Sequence, residues 1–172
     1  METERLIIRK VKEDDLDDIF YNWASDRITN EYLTFKCHET RDQTKKMMDF
    51  WLNKKESKGC DFVIELKDSN EVIGIISADC SYKYKCLEIG YSIGSKYFNK
   101  GYTSEACKEF IKYLFENYDC DIVEAVIPSK NIGSIKVAEK CGMKKEAVLK
   151  NRFKNKLTNE INDLYIYSIF KN

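Results

Sequence analysis

The sequence predicts a mixed α+β or α/β domain built around one central sheet. Apolar segments rich in β-branched residues alternate with segments whose apolar residues recur at helical spacing. The resulting order is β, α, α, β, β, β, α, β, α, β, β. The chain has 172 residues with one proline and seven glycines, and it shows no internal repeat or low-complexity segment. We therefore expect residues 1–172 to form a single domain.

Short runs of β-branched and aromatic residues, bounded by turn residues, predict the strands. Three of them follow one another with turns at 68–70 and near Lys83, which predicts an antiparallel meander. The region from about 146 to 171 is expected to form two strands joined by KNKLTNE (154–160). The predicted strands with clear bounds are 4–11, 60–68, 71–81, 86–94, 121–127 and 162–170.

Four segments are predicted as helices: 12–25, about 40–57, a segment that ends near 117, and 131–143. Thr40 and Gln43 fit a capping box at the start of the second helix. Asn131 fits the N-cap of the fourth, and Gly142 lies just past its end.

Charge and hydropathy exclude several classes of protein. Twenty-nine basic residues balance 29 acidic ones, so we expect no strong nucleic-acid binding. No apolar run is long enough to span a bilayer, and the start METERLIIRK is too charged for a signal peptide. We expect a cytoplasmic protein without membrane association.

The cysteine pattern favours reduced thiols over a disulfide framework or a metal site. The chain has seven cysteines, an odd count, with no C-x-x-C pair and a single histidine, His38. We expect core thiols and no metal. Cys37 and His38 are adjacent in sequence, which does not create the nucleophile–base pair of a hydrolase. We expect His38 to be a loop residue ahead of the next helix.

The segment YFNKGYTSEACKEF (97–110) leads through a glycine-containing loop into a helix. One interpretation is a turn in which Thr103 or Ser104 caps the helix. The other is an anion site, because loop amides and the free N–H groups of a first helical turn converge on one place. Gly101 permits close backbone approach and Lys100 adds positive charge. Neither G-x-x-x-x-G-K-[ST] nor G-x-G-x-x-G is present.

Two longer stretches resemble a known superfamily. LEIGYSIGSKYFNKGYTSEA (87–106), followed by NIGSIKVAEKCGMKKEA (131–147), resembles the GNAT N-acetyltransferases, most of all the branch of ribosomal-protein N-terminal acetyltransferases. ERLIIRK, VIGIISAD and the pair Asp163 and Tyr167 also fit, so the resemblance covers nearly the whole chain. It implies a GNAT-like fold with a mostly antiparallel mixed sheet of about six to seven strands and about four helices.

The resemblance also implies an activity and a cofactor site. The activity is direct transfer of acetyl from acetyl-CoA to a primary amine, on a protein N-terminus or a small molecule, without a metal. The loop would hold the pyrophosphate and the strand before it the pantetheine arm, with Asn131 and Ser134 reaching from the next helix. The implied cofactor residues are Tyr91, Ser92, Ile93, Phe98, Asn99, Lys100, Gly101, Tyr102, Thr103, Ser104, Asn131 and Ser134.

The loop departs from the superfamily pattern at three positions. Phe98 replaces a glutamine or arginine, Asn99 a glycine, and Thr103 a smaller residue. Backbone N–H groups make most contacts to a phosphate in such a loop, and asparagine adopts the left-handed conformation more readily than most residues. We expect acetyl-CoA binding to survive these changes. Lys136 and Lys140 either meet CoA phosphates or are solvated.

Amide formation from a thioester needs a proton acceptor, oxyanion donors and a hydrogen bond to the leaving thiolate. Glu88 is the candidate base, because it comes just before the strand segment Ile89-Gly90-Tyr91 that should line the cleft. The tyrosine that serves as acid in many superfamily members is replaced here by Ala138, and Ser134 is the candidate donor to the thiolate. The alternative roles are a strand-face glutamate and the N3 residue of a capped helix.

The acceptor amine is left open by the sequence. We expect residues 24 to 58 to shape its side of the cleft, with Trp23, Tyr32, Phe35 and Trp51 as walls. A protein N-terminus, a polyamine, an aminoglycoside-like drug and a small metabolite are all compatible with it. Two other classes are a CoA-binding regulatory module without catalysis and a ribosome-associated binding protein. A homodimer is a further expectation from the resemblance.

Overall fold

The computed structural model describes residues 1–33, 35–55, 59–81 and 84–171. Its strands are β1 Leu6–Lys10, β2 Gly59–Leu66, β3 Val72–Cys80, β4 Cys86–Ile93, β5 Ile122–Pro128, β6 Lys144–Lys154 and β7 Ile161–Phe170. Its α-helices are α1 Leu16–Ile19, α2 Arg41–Leu52, α3 Tyr102–Asn117 and α4 Ile132–Lys140. Short 3₁₀ turns cover Glu13–Asp15, Thr29–Tyr32 and Ser95–Tyr97, and a π-helical turn covers Phe20–Ala24.

The seven strands form one sheet in the order β1-β2-β3-β4-β5-β7-β6. Every neighbouring pair is antiparallel except β4 and β5, which are parallel. The predicted β2-β3-β4 meander and the C-terminal strand pair are confirmed. The predicted fold class, a mostly antiparallel mixed sheet with four α-helices among the described residues, is confirmed as well.

Helices pack on both faces of the sheet, whereas the edge strand β6 is largely exposed. α3 and α4 pack on one face, where Phe110 and Leu114 are completely buried against Ile8 and Ile64. α1, the π turn and α2 lie on the other face, where Trp23 is completely buried. These two faces are called the α3 face and the α2 face below.

Two predicted helices differ in detail from the observed ones. The segment 12–25 is helical throughout its middle but passes from 3₁₀ to α to π geometry. The π turn ends at Ser25, whose N–H and hydroxyl both donate to Phe20 O. The N–H bond spans five residues instead of the four of an α-helix. α2 ends at Leu52 because the Asn53 side chain donates to Asp49 O. Residues 56–58 and the predicted turn at Lys83 lie outside the described residues.

The cysteine prediction needs a correction. Five of the seven free thiols are buried, but Cys37 is half-buried and Cys80 is exposed at the end of β3. Cys80 therefore is not a core residue, because the last residues of β3 extend beyond the helices that cover the sheet.

Glu105 joins the start of β1 to the first turns of α3. Its Oε1 accepts from the Thr3 hydroxyl at 2.6 Å and the Arg5 N–H at 2.9 Å, and its Oε2 accepts from Arg5 Nε at 2.8 Å. Arg5 Nη1 continues to Lys100 O at 3.1 Å. Burial raises the pKa of Glu105, but the bonds from Thr3 and Arg5 outweigh it, so the pKa lies below its usual value.

We predict that Glu105→Gln destabilises the protein by about 1 kcal/mol at neutral pH, because a charged acceptor is lost. Because the pKa of Glu105 is lower in the folded than in the unfolded protein, ionised Glu105 stabilises the fold at any pH above its unfolded-state pKa. This stabilisation is lost as the pH falls through the folded-state pKa. The difference between wild type and variant, measured by chemical denaturation, should therefore shrink in acid. Glu109→Gln, one turn later on α3, is the matched control. If the difference in unfolding free energy between wild type and Glu105→Gln did not change with pH, the stabilising role of ionised Glu105 would be contradicted.

Candidate active site

The candidate site begins where β4 and β5 separate. The two strands pair in parallel only over Cys86–Glu88 and Ile122–Glu124, whereas β4 continues to Ile93 and β5 to Pro128. β5 remains paired with β7 along its whole length. A wedge-shaped opening therefore lies between β4 and β5, with Glu88 at its closed end.

The backbone of β4 supplies hydrogen-bonding groups to this wedge. Gly94 N–H donates to Ile73 O of β3, and backbone groups alternate sides along an antiparallel strand. Ser92 consequently directs its backbone to β3, whereas Tyr91 and Ile93 direct theirs toward the opening. Among the predicted pantetheine contacts, Tyr91 and Ile93 have suitable backbone orientation and Ser92 does not.

Asp26 holds the end of β4 in place. Its carboxylate accepts from Ser95 N–H at 2.9 Å and from the Thr29 hydroxyl at 2.8 Å, and Thr29 also lies 3.1 Å from Ile93 O. Burial opposes ionisation of Asp26, but these bonds outweigh it and lower its pKa. At Gly94 a Cβ would lie 2.0 Å from Asn22 O, so only glycine fits here. Sequence reasoning missed Asp26, although a short polar residue after a helix is a common turn former.

The glycine loop has the geometry of an anion site rather than of a capped turn. Asn99 and Gly101 both adopt left-handed conformations, with φ of 61° and 85°. Gly101 is itself the N-cap of α3, and no side chain caps the helix. The first N–H bonded within the helix is that of Glu105, to Gly101 O. Thr103 and Ser104 therefore lie inside the first turn and do not cap it.

Three basic residues lie at this loop, of which Arg5 is already ion-paired with Glu105. Arg5 Nη1 donates to Lys100 O, and its guanidinium lies 4.4 Å from the Tyr102 ring centroid. Lys96 and Lys100 both lie over the Tyr97 ring. The sequence analysis identified Lys100 but missed Arg5, because the contact spans 95 residues of sequence. The predicted contacts of Lys136 and Lys140 are untested, and both side chains are exposed.

Two hydroxyl groups meet beside the wedge. Ser134 Oγ donates to Tyr91 Oη at 2.9 Å, and Tyr91 Oη donates to Ser134 O at 3.0 Å. Burial and the nearby Cys107 thiol raise the pKa of Tyr91, so its hydroxyl stays protonated and can donate. Asn131 is the N-cap of α4, accepting from Ser134 N–H at 3.1 Å, and Ser134 is the N3 residue.

This hydroxyl contact was not predicted, since Tyr91 was considered only for its backbone. A signal existed: alternation along β4 places Tyr91 on the same face as Ile89, and a buried tyrosine hydroxyl needs a partner. Ala138, at the position of the missing superfamily tyrosine, is completely buried.

Glu88 lies on the opposite face of β4 from Tyr91, and its side chain is exposed. Asp79 of β3 and Glu124 of β5 are its register partners on either side. Three carboxylates therefore stand side by side on the α2 face at the closed end of the wedge. Asp79 also pairs with Lys54 at 2.7 Å.

The four predicted acceptor walls do not form one surface. Trp23 is completely buried between Phe35 and Trp51, at ring distances of 6.4 Å and 6.2 Å, so the prediction that it contacts the acceptor is wrong. Trp51 lines a cavity of about 480 Å³ with Tyr113 at the C-terminal end of α3, away from Gly101. Only Tyr32 lies near the site, where it packs on Phe153 and its hydroxyl lies 3.4 Å from Lys130 O.

His38 has a structural role in the loop before α2. Its Nδ1 lies 2.8 Å from Thr44 Oγ1, its ring packs on Phe35, and burial lowers its pKa. Among the described residues, no group of three or more His, Cys, Asp or Glu side chains is arranged to bind a metal. The described helices are all too short or too polar to cross a bilayer.

The comparison to known families shows which family has this fold. The family model of the acetyltransferase (GNAT) domain matches residues 5–144. This chain belongs to the GNAT acetyltransferase family. It is an N-acetyltransferase, an enzyme that transfers acetyl from acetyl-CoA to an amine. The predicted enzyme class and cofactor are confirmed, in place of the regulatory-module and ribosome-associated alternatives.

Individual relatives agree with this assignment. The chain is 29% identical to the uncharacterized N-acetyltransferase p20 of Bacillus licheniformis, over 98% of this chain and 94% of that protein. A GNAT-family acetyltransferase from Bacillus anthracis has a TM-score of 0.87 at 29% identity, over 99% and 97% of the two chains. The ribosomal-protein-S5-alanine acetyltransferase of Vibrio fischeri shares the fold, with a TM-score of 0.83 at 21% identity over 100% and 96%. The single domain, the cytoplasmic location and the homodimer stay predictions.

Proposed function

We propose that this enzyme acetylates a primary amine by direct attack, with acetyl-CoA lying along the open edge of β4 and its pyrophosphate on residues 98–104. The observation that carries the proposal is the uncapped N-terminus of α3 at the end of β4. Its first-turn N–H groups, the two left-handed residues of the loop and the charge of Lys100 all favour an anion there.

The thioester arm then follows the wedge. Tyr91 and Ile93 direct their backbone groups into the opening and pair with the pantetheine amides as a further strand would. Asn131 and Ser134 border the other side from α4. Among the side chains of the loop, Lys100 adds charge, whereas Phe98, Asn99, Tyr102, Thr103 and Ser104 contribute through their backbone.

We predict that Gly101→Asp weakens acetyl-CoA binding at least about tenfold more than Gly101→Ala, measured by calorimetry. Both variants place a Cβ in the left-handed region, where an L-residue costs about 1 kcal/mol. The Cβ itself has room, since it would lie 3.5 Å from Arg5 Nη2. Only aspartate adds a negative charge against the pyrophosphate.

Gly101→Ala is thus the matched control for backbone strain, and the unfolding midpoints of both variants report any general damage. If Gly101→Asp and Gly101→Ala bound acetyl-CoA with equal affinity, the proposal that the pyrophosphate binds this loop would be wrong.

Bound acetyl-CoA supplies the thioester carbonyl that the amine attacks. Glu88, at the closed end of the wedge, accepts the amine proton directly or through a water. To hydrogen-bond the leaving thiolate, the Ser134 hydroxyl rotates its proton from Tyr91 Oη toward the sulfur. The Tyr91 hydroxyl accepts from the Ser134 hydroxyl and donates to the Ser134 carbonyl, and it thereby orients the serine. The N–H groups of Tyr91 and Ile93 face the opening and are the candidate backbone donors for the oxyanion.

We predict that Glu88→Gln lowers kcat about 100-fold while the acetyl-CoA Kd stays unchanged, because only proton acceptance is lost. The rate loss, followed by release of free thiol, should diminish at high pH, where more of the amine is already neutral. Glu146→Gln, an exposed carboxylate on β6, is the matched control. A Glu88→Gln enzyme with an unchanged kcat would disprove the base assignment.

The first acceptor candidate is the α-amine of a protein N-terminus. It rests on the resemblance to the ribosomal-protein branch and on the shared fold with the Vibrio fischeri enzyme. The second is a polyamine, which the row of Asp79, Glu88 and Glu124 favours. These carboxylates are in register across three strands and suit an acceptor with several positive charges, although Asp79 already pairs with Lys54 and Glu124 is buried.

Kinetics with two acceptors distinguish these candidates. An alanine-initiated peptide and spermidine are compared by kcat/KM, and we predict that the peptide is the better substrate. Asp79→Asn, which removes the outermost carboxylate of the row, should leave the peptide KM unchanged. A higher kcat/KM for spermidine, together with a spermidine KM that rises with salt and in the Asp79→Asn variant, would instead identify a polyamine as the acceptor.

A further inference from the structure

Two cysteines meet where α3 packs against the end of α4. Cys107 lies on α3, is completely buried and donates its S–H to the Cys141 sulfur. Cys141 is the C-cap of α4 and lies 3.7 Å from Ser104 O in the first turn of α3. Tyr91 packs against the apolar cluster that contains both cysteines, and burial and both thiols raise its pKa, so the pair lies near the Tyr91–Ser134 contact.

Both thiols are buried, but Cys141 keeps 9% of its surface exposed, whereas Cys107 has none. Cys141 lines a groove of about 350 Å³ together with Lys108, Ile111 and Ile169, whereas Cys107 is sealed beneath it. The hydrogen bond from Cys107 lowers the pKa of Cys141, and Lys108 lowers it further, although burial opposes both effects. The same hydrogen bond, with burial, raises the pKa of Cys107.

The lowered pKa of Cys141 distinguishes it from three other thiols of the chain. Burial raises the pKa of Cys37, Cys60 and Cys120, and this disfavours their thiolate forms. A thiol that lines a surface groove and has a lowered pKa, next to a second thiol that is completely buried, is the arrangement of a redox-sensitive cysteine and its resolving partner.

We propose that Cys141 and Cys107 form a peroxide-sensitive thiol pair that links the redox state of the protein to its acetyl-CoA site. The Cys141 thiolate attacks hydrogen peroxide, whose O–O bond breaks, giving a sulfenic acid at Cys141 and hydroxide, which takes up a proton to become water. The Cys107 thiol then attacks this sulfur and displaces a second water, so that one disulfide forms. Two thiols are oxidised by two electrons, and one peroxide is reduced.

Disulfide formation changes the surroundings of the acetyl-CoA site. The sulfurs must approach from hydrogen-bonding contact to about 2 Å. Cys141 then no longer donates to Ser104 O, and the sulfur beside Tyr91 moves. The start of α3 and the Tyr91–Ser134 contact are both displaced. This consequence rests on the proposed function of the loop, whereas disulfide formation itself does not.

The test treats the intact enzyme with limiting hydrogen peroxide and maps its cysteines by peptide mass spectrometry. We expect a loss of about two mass units in a linked peptide pair that contains Cys107 and Cys141, reversed by dithiothreitol. Acetyl-CoA affinity, measured by calorimetry on the same samples, should fall about tenfold and recover on reduction.

Single variants identify each role. Cys107→Ser should stop at a Cys141 sulfenic acid, trapped by a dimedone reagent, and Cys141→Ser should show neither product. Cys80→Ser, which removes the exposed cysteine, should behave as wild type. Preferential oxidation of Cys80 or Cys37, with Cys107 and Cys141 still reduced, would overturn the proposal. A disulfide that forms without any change in acetyl-CoA affinity would overturn the link to the site while leaving the pyrophosphate assignment intact.

Discussion

The separation of β4 from β5 after three paired residues is the constraint on which the rest of the molecule depends. A strand in the middle of a sheet normally satisfies its backbone on both sides, and unmatched N–H and C=O groups are costly when water is excluded. Here β4 keeps β3 along its length but loses β5 beyond Glu88. The strand therefore presents a polar edge inside the sheet, which suits an extended, amide-containing ligand such as the arm of acetyl-CoA.

The elements around this edge hold it open from both faces. Asp26 and Thr29 anchor the end of β4 from the α2 face. Arg5 and Glu105 attach the loop and the start of α3 to β1 from the other. Several of these contacts are charge-assisted, so they are strong and directional. Arg5 and Glu105 thus both stabilise the fold and hold the glycine loop in position.

A chain with no net charge nevertheless separates its charges around the wedge. Arg5, Lys96 and Lys100 lie near the loop, and carboxylates lie at the closed end on the α2 face. This arrangement favours an anion at one end and an amine at the other, which matches the two substrates of an N-acetyltransferase. The apolar α3 face behind the wedge contributes the hydroxyl and thiol pairs, whose properties follow from burial.

The sequence by itself determined the class of fold, the strand and helix order, the glycine loop and the family resemblance, since these depend on local periodicity, turn residues and contiguous motifs. It also located Glu88, Ser134 and Gly101 correctly on their elements. Only the tertiary structure decided which side chains meet: Tyr91 with Ser134 across 43 residues, and Thr3 with Glu105 across 102. It also placed Trp23 in the core instead of the cleft. The physical reason is that an apolar or hydroxyl side chain looks the same in sequence whether it is buried or lines a site, and its partner is chosen by strand register and helix packing.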